Sequence, residues 1–153
     1  MVKKTVLTFS LFILFILSAC TAENTSQSIL QDIDNPEIEA VKELLIDNLK
    51  YAENKNIEGY LSTIPVDSHA ETREVMEEFF NTYTVKHTLL EFEVVEVLED
   101  EIVAKARQKT EEVVDSDESE YKSHIAETLH VFQRIESEWK ITDSSVTDIT
   151  FIE

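Results

Sequence analysis

In Val85–Glu99, VKHTLLEFEVVEVLE, the apolar residues change from a helical period to a period of 2. Alternation over β-branched and aromatic residues is typical of a strand with one buried face. Leu90, Phe92 and Val94 share one face, and the alternation then slips at Val94-Val95. A β-bulge at this point would restore the register and bend the strand. We therefore predict a long, bent strand over this stretch.

Three further strands are predicted after it, because the same alternation recurs between polar turns. They are Ile102–Val114, Tyr121–Ile135 and Trp139–Asp143, the last extending to Phe151 past an irregularity at Ser144-Ser145. The acidic segment Asp115–Glu120 is predicted to be a solvated loop. It resembles the start of an EF-hand loop. However, Glu120 stands where that loop requires a glycine, and Ala126 stands where it requires a bidentate glutamate. No dedicated calcium site is therefore expected.

Three helices are predicted before the strands. The first begins at Asn35-Pro36, where Asn suits the N-cap and Pro the first helical position. A short second helix follows Asn56, and Gly59 within it predicts either a close contact between helices or a bend. The third begins at Ser68-His69-Ala70-Glu71, a capping-box pattern. Helices followed by antiparallel strands indicate an α+β fold.

This order of elements resembles the nuclear transport factor 2-like superfamily, whose fold is a cystatin-like cone. The short second helix, Asn56–Leu61, and the ending Trp139–Asp143 are typical of that superfamily. The resemblance covers residues 35–153. It implies three N-terminal helices packed on a curved antiparallel sheet of four or more strands, often around a pocket. Such folds include enzymes and inert modules, so the fold leaves the function open.

The N-terminus has the features of an export signal. Lys3 and Lys4 precede the apolar run Val6–Leu17, which is shorter than the roughly 20 residues of a membrane span. The following Leu17-Ser18-Ala19-Cys20 resembles the lipobox of bacterial lipoprotein precursors. The resemblance implies cleavage before Cys20 and a diacylglyceryl group on its sulfur. The remaining alternatives are an ordinary secretory signal with a chance cysteine and an uncleaved anchor.

This interpretation divides the chain into three parts. Residues 1–19 are the signal peptide, residues 20–34 a lipidated tether, and residues 35–153 the folded domain. The predicted location is the cell membrane, lipid-anchored on its extracytoplasmic face. Cys20 is the chain's only cysteine, so the mature domain is expected to fold without a disulfide.

The charge of the chain limits its partners. Thirteen Lys and Arg against 32 Asp and Glu give a formal net charge of −19. A domain this acidic repels phosphate backbones and anionic headgroups. We therefore expect no nucleic-acid partner, and we expect the lipid on Cys20, rather than a basic patch, to hold the protein at the membrane.

The candidate pocket residues are polar groups at inward positions. His124, Thr128 and His130 share one strand face, and Tyr60 and Tyr83 occupy helical core positions from which they could face that strand. The two histidines are roughly 20 Å apart along the strand, which is too far to share a metal ion. No metal or cofactor is therefore expected. The alternative is that these are ordinary sheet, surface and core residues.

Catalysis is not expected from the sequence. Superfamily members that isomerise or hydrate substrates use an aspartate inside the cone, and no aspartate here falls on an apolar stripe. The sequence therefore predicts a noncatalytic domain, not an enzyme, that binds an unidentified protein or small molecule. The alternatives are a cone-pocket enzyme of isomerase or hydratase type and a structural module that forms a homodimer through its sheet.

Overall fold

The computed structural model describes residues 35–113 and 121–152. The predicted signal, Cys20, the tether and the acidic loop Asp115–Glu120 lie outside the described residues. The predicted α+β order is confirmed, with three α-helices followed by four strands in this part of the chain. The helices are α1 (Pro36–Glu53), α2 (Ile57–Ser62) and α3 (His69–Thr82), with a 3₁₀ turn at Val66–Ser68. The strands are β1 (Val85–Val97), β2 (Glu101–Glu112), β3 (His124–Ile135) and β4 (Glu138–Phe151).

The four strands form one antiparallel sheet in the order β1-β2-β3-β4. The predicted bulge in β1 is confirmed, because the register shifts between Val94 and Glu96. A second shift between Leu89 and Glu91 was not predicted. It turns Leu90 outward, with 41% of its surface exposed, while Leu89 packs against the core. The prediction that Leu90 shares the face of Phe92 is therefore wrong.

Strand β4 extends to Phe151 as predicted, but it is more regular at Ser144-Ser145 than predicted. Ser144 and Ser145 pair in register with His130 and Leu129. The irregularities fall instead on either side of this pair, where Thr142 and Thr147 are the extra residues. The strand therefore bends twice without losing its pairing to β3.

The core forms where α1 crosses the sheet. Val41 and Leu45 of α1 meet the inner face of the sheet, which carries Ile102, Phe132 and Ile141. Asn35 begins α1 as predicted, since its Oδ1 accepts a hydrogen bond of 3.0 Å from the Glu37 backbone N–H. Two alanines, Ala104 and Ala106, lie fully buried on the same inner face. Their short side chains leave room between helices and sheet.

The predicted close contact at Gly59 is confirmed. A Cβ atom built on Gly59 would lie 2.7 Å from Cγ of Tyr51 in α1, so only glycine fits here. The capping box at Ser68 is wrong. Ser68 has helical rather than extended backbone angles because the 3₁₀ turn runs directly into α3, and its side chain makes no capping bond.

Trp139 is partly buried at the end of the sheet where α1 begins. Its Nε1–H donates to Glu37 Oε2 at 2.6 Å, and the Arg134 guanidinium lies 4.4 Å from the centre of its ring. Arg134 also donates to the same carboxylate oxygen at 2.7 Å. From the sequence we expect Trp139 to be buried where the last strands meet the helices, beside Phe79 or Phe80, and this prediction is wrong because its contacts are with Glu37 and Arg134. The indole instead ties the first turn of α1 to β3 and β4.

Candidate functional site

The inner face of the sheet is apolar at one end and polar toward the other. Strand pairing places one residue from each strand in every cross-strand row. The most apolar row is Val97, Ile102, Phe132 and Ile141. The next three rows, in order, are Val94, Ala104, His130, Ser144; then Phe92, Ala106, Thr128, Val146; then Leu89, Gln108, Ala126, Ile149. The fifth row is His87, Thr110, His124 and Phe151.

A cavity of about 280 Å³, called here the inner cavity, lies between these rows and the helices. Its apolar wall comes mainly from the helices: Leu45, Leu49, Ala52, Met76 and Phe79. Its polar lining is Asn48, Tyr60, His87, Gln108, Thr128, His130 and Ser144. None of the described residues that line it is an aspartate, glutamate, lysine or arginine. The inner cavity is therefore suited to an uncharged molecule.

A second space, the outer cavity, adjoins the first. It has a volume of about 210 Å³ and shares Asn48, Tyr60 and Ser144 with the inner cavity. Its other walls are more polar and include Ser68, Thr72, Thr142 and Asp143. Ser144 lies on the edge strand and is exposed. The shared residues thus form the boundary between the inner cavity and a route to solvent.

His130 is held between two polar side chains at this boundary. Gln108 Nε2 lies 2.7 Å from His130 Nε2, and Ser144 Oγ lies 2.8 Å from His130 Nδ1. An amide nitrogen only donates, so Nε2 accepts and the neutral ring donates from Nδ1 to Ser144. Burial lowers the pKa of His130 to about 4, although the charge of Asp143 acts in the opposite direction. The imidazole is therefore neutral at pH 7.

His87 reaches the inner cavity from β1. Its Nδ1 lies 3.1 Å from Thr110 Oγ1, while its Nε2 is buried and has no hydrogen-bond partner. Burial lowers the pKa of His87, which the nearby carboxylate of Glu53 partly offsets. The Glu53 carboxylate also accepts from the His87 backbone N–H at 3.1 Å. The His87 ring is therefore held at Nδ1, while its Nε2 has no hydrogen-bond partner.

Tyr60 is positioned by a chain of contacts from α1 to β4. Asn48 Nδ2 donates to Thr63 Oγ1 at 2.7 Å, and Thr63 Oγ1 donates to the Tyr60 carbonyl at 2.6 Å. The Ile141 backbone N–H donates to the Thr63 carbonyl at 2.9 Å. Burial raises the pKa of the Tyr60 hydroxyl, with Asn48 acting against the shift. The hydroxyl therefore remains protonated at neutral pH.

The structure brings together three of the five predicted pocket residues. Thr128, His130 and Tyr60 line the inner cavity, whereas His124 and Tyr83 line neither cavity. His124 faces the same side as His130 but packs its ring against Tyr121 and Phe151. Tyr83 packs against Phe79 and Tyr121, with ring centres 5.5 and 5.0 Å away. A functional role for these residues remains a prediction.

Four polar residues of the inner cavity were missed from the sequence: Asn48, His87, Gln108 and Ser144. A usable signal existed for Gln108, which lies in inward register with Ala104 and Ala106.

Within residues 35–113 and 121–152, no three His, Cys, Asp or Glu side chains converge in a way that would hold a metal ion. In the same ranges, no helix is long and apolar enough to cross a membrane.

Solved structures with the same fold are similar to this chain at low sequence identity. A proposed aromatic ring hydroxylase from Novosphingobium aromaticivorans is 17% identical, with a TM-score of 0.63, over 75% of this chain and 92% of that one. A nuclear transport factor 2-like protein of unknown function from Pseudomonas putida is 10% identical, with a TM-score of 0.60, over 76% and 87%. A proposed scytalone dehydratase from N. aromaticivorans is 12% identical, with a TM-score of 0.57, over 76% and 88%. These similarities establish a nuclear transport factor 2-like fold.

The expectation that this domain is not an enzyme is corrected by these similarities. Two of the three structures are named as enzymes, a hydroxylase and a dehydratase. The expectation relied on the lack of an inward aspartate. Histidine and tyrosine also serve as acid–base groups, and His87, His130 and Tyr60 line the inner cavity. At these low sequence identities, the similarity shows the fold but does not show a particular activity.

The sequence itself identifies the family. No curated protein matches the chain. A family model described as the C-terminal domain of the anti-sigma-I factor RsgI9 matches residues 43–152. The match begins inside α1 and runs to the end of β4, so it includes nearly the whole described domain. The chain therefore belongs to the family of the C-terminal domain of anti-sigma-I factor RsgI9.

Proposed function

We propose that this domain binds a small, uncharged, mostly apolar molecule in the inner cavity. The observation that carries the proposal is a cavity with an apolar helix wall and only uncharged polar groups, among them the neutral His130 held between Gln108 and Ser144. Ligand sites commonly combine apolar walls with a few well-placed polar groups. A charged ligand would lose its hydration in this cavity without gaining a charged partner.

The size of the cavity limits the ligand. Pockets for drug-sized molecules typically measure roughly 300–1,000 Å³, and the inner cavity is slightly smaller at about 280 Å³. A molecule of the size of 4-methylphenol suits this volume. It would enter through the outer cavity, past Tyr60 and Ser144, where the polar walls can hold a polar substituent.

Filling the inner cavity should weaken binding. Ala52 is buried in its wall, so Ala52→Leu places additional carbon atoms in the space that the ligand needs. We expect the affinity for 4-methylphenol to fall at least tenfold, measured by chemical-shift titration. Ala40→Leu is the matched control, because Ala40 lies exposed on the same helix. Equal affinities of Ala52→Leu and Ala40→Leu would contradict the proposed site.

These titrations use a chain that starts at residue 20 and carries Cys20→Ser, so that no lipid is attached. The core residues run from Val41 to Ile141, and all of them are retained. Melting temperatures of the variants provide the folding control. A variant that binds nothing but melts at the parent temperature has lost the site rather than the fold.

Any proton transfer in this cavity is assigned to His87 rather than His130. A base with a pKa of about 4 is weak at neutral pH, and His130 Nε2 already accepts from Gln108. His87 is also neutral, and its Nε2 has no partner. With Nδ1–H donating to Thr110, Nε2 would present a lone pair to a bound molecule. This chemistry would be of isomerase or hydratase type.

We also propose that the domain is tethered to the extracytoplasmic face of the membrane through Cys20. The lipobox Leu17-Ser18-Ala19-Cys20 supports this placement. The family's description refers to an anti-sigma-I factor. A domain that binds a small molecule outside the membrane is suited to detecting the signal to which such a factor responds. Recognition of an extracellular molecule, rather than of nucleic acid, also fits the net charge of −19.

Removing the lipid-bearing sulfur should release the protein. We expect Cys20→Ser to block diacylglyceryl transfer, because serine has no thiol to form the thioether. The wild-type protein should partition into the detergent phase, and the variant should remain as uncleaved precursor or appear in the medium. Ser18→Ala is a control that retains a small residue in the lipobox. Membrane-bound Cys20→Ser protein of mature size would contradict the anchor.

A further inference from the structure

The unsatisfied Nε2 of His87 is an unusual feature of this cavity. Nearly all buried polar groups in folded proteins have a hydrogen-bond partner, so an exception calls for an explanation. His87 lines the inner cavity, and its other ring nitrogen is engaged with Thr110. The ring is therefore held in place while one polar atom lacks a partner. A bound molecule could supply that partner.

His87 and His130 form separate polar points in the inner cavity. The row of His87 includes His124, which lies six residues from His130 along β3. At about 3.3 Å per residue, the two rows are roughly 20 Å apart along the strand. Leu49, Ala52, Met76 and Phe79 supply apolar lining to the same cavity. A small ligand that contacts His87 therefore does not reach His130 at the same time, and both ring nitrogens of His130 are already engaged.

We propose that His87 is a specificity-determining residue that hydrogen-bonds a hydroxyl group of the ligand. The proposal rests on the proposed binding function and names its ligand class: small apolar alcohols and phenols. Thr110 Oγ1 can donate or accept, so His87 Nε2 is either an acceptor or a donor. A hydroxyl group serves both cases, because it donates and accepts. A hydrocarbon of the same shape would leave Nε2 unsatisfied.

This arrangement predicts discrimination between molecules that differ by one hydroxyl group. A site whose buried polar group needs a partner rejects the analogue that lacks it. For one neutral hydrogen bond we expect a preference of about tenfold. The burial that lowers the pKa of His87 keeps the ring neutral, so no counter-ion is required.

The test compares 4-methylphenol with toluene, which has the same ring and methyl group without the hydroxyl. The wild-type chain should bind 4-methylphenol about tenfold more tightly than toluene. His87→Phe should bind both with similar affinity, because its affinity for toluene is retained and the preference is lost. His124→Phe is the matched control, since His124 lies in the same row and lines neither cavity. It should keep the wild-type preference.

A second measurement follows the His87 ring nitrogens by NMR in the wild-type chain. Adding 4-methylphenol should shift the Nε2 resonance, and adding toluene should shift it much less. This measurement does not depend on a variant that folds. Melting temperatures of His87→Phe and His124→Phe provide the folding control, because His87→Phe also removes the hydrogen-bond partner of Thr110 Oγ1.

Two kinds of failure are distinguishable. Equal binding of the two probes by the wild-type chain, or a preference retained in His87→Phe, would overturn the role of His87 and leave the cavity as a binding site. Binding of either probe that is unaffected by Ala52→Leu, or no binding at all, would overturn the proposed function itself.

Discussion

Phe132→Ala is expected to destabilise the domain by about 3–5 kcal/mol, the range measured for truncating a buried aromatic side chain. Phe132 is fully buried on the inner face of β3. Its ring lies 6.4 Å from that of Phe92 and belongs to the cluster formed with Val41 and Leu45 of α1. Its removal leaves a cavity where helix and sheet meet. Urea unfolding should show this loss in the free energy of unfolding, and thermal unfolding should show a drop in melting temperature of more than about 10 °C.

Phe151→Ala is the matched control for this prediction. The substitution is chemically identical, but Phe151 is 60% exposed at the end of β4. We expect its effect to be within about 0.5 kcal/mol, as is usual for surface positions. Equal destabilisation by the two substitutions would mean that the core does not lie where α1 crosses β3.

A large loss of stability is also expected on acidification, because His130 is buried in its neutral form. Its pKa is about 4 in the folded state, against 6.5 for a histidine that is free in solution, as in the unfolded chain. Between these values the unfolded chain binds a proton that the folded chain does not. The stability contributed by the neutral His130 is therefore complete above pH 6.5 and is lost as the pH falls from 6.5 through 4. The difference of about 2.5 pH units corresponds to about 3 kcal/mol.

Comparison with His130→Gln isolates this contribution. Glutamine does not titrate and can hydrogen-bond in the same position. The carboxyl pKa values of Glu37, Glu58 and Glu138 are lowered by hydrogen bonds to Trp139, Arg73 and Lys140, respectively, and these contributions also fade in acid. They are common to both proteins and cancel in the difference. Urea unfolding from about pH 7 to about pH 4 should show the wild type losing about 3 kcal/mol relative to His130→Gln. Parallel curves would show that His130 is not buried as a neutral ring.

Most of the fold was predictable because local signals agree with the final packing. In β1, the adjacent Val94 and Val95 cannot both face inward, so their pairing predicted the bulge. The same signal is present at the adjacent Leu89 and Leu90, where the second register shift lies. Alternation along β3 placed Thr128 and His130 on the inner face for the same reason.

The site was less predictable because it depends on how the helices cover the sheet. His124 shares a face with His130, yet Tyr121 and Phe151 pack against it and it does not line the cavity. Gln108 reaches His130 from the neighbouring strand, a contact that no spacing along one strand reveals. Similarly, Trp139 finds its partner in Glu37, which lies 102 residues earlier.

A second apolar surface competes with the inner cavity for a small apolar probe. Val146, Ile149 and Phe151 lie on the same face of the sheet at its β4 edge and are 62%, 45% and 60% exposed. An exposed apolar stripe is typical of contacts with other proteins, so it supports the alternative of a homodimer through the sheet. A small apolar probe could bind at either place.

The most direct test of the binding site is therefore to locate bound 4-methylphenol by intermolecular nuclear Overhauser effects. If the inner cavity is the binding site, the probe's methyl protons should show effects to the methyl groups of Leu45, Leu49 and Met76 and saturate with one molecule per chain. Effects confined to Val146 and Ile149, or a signal that does not saturate, would contradict it.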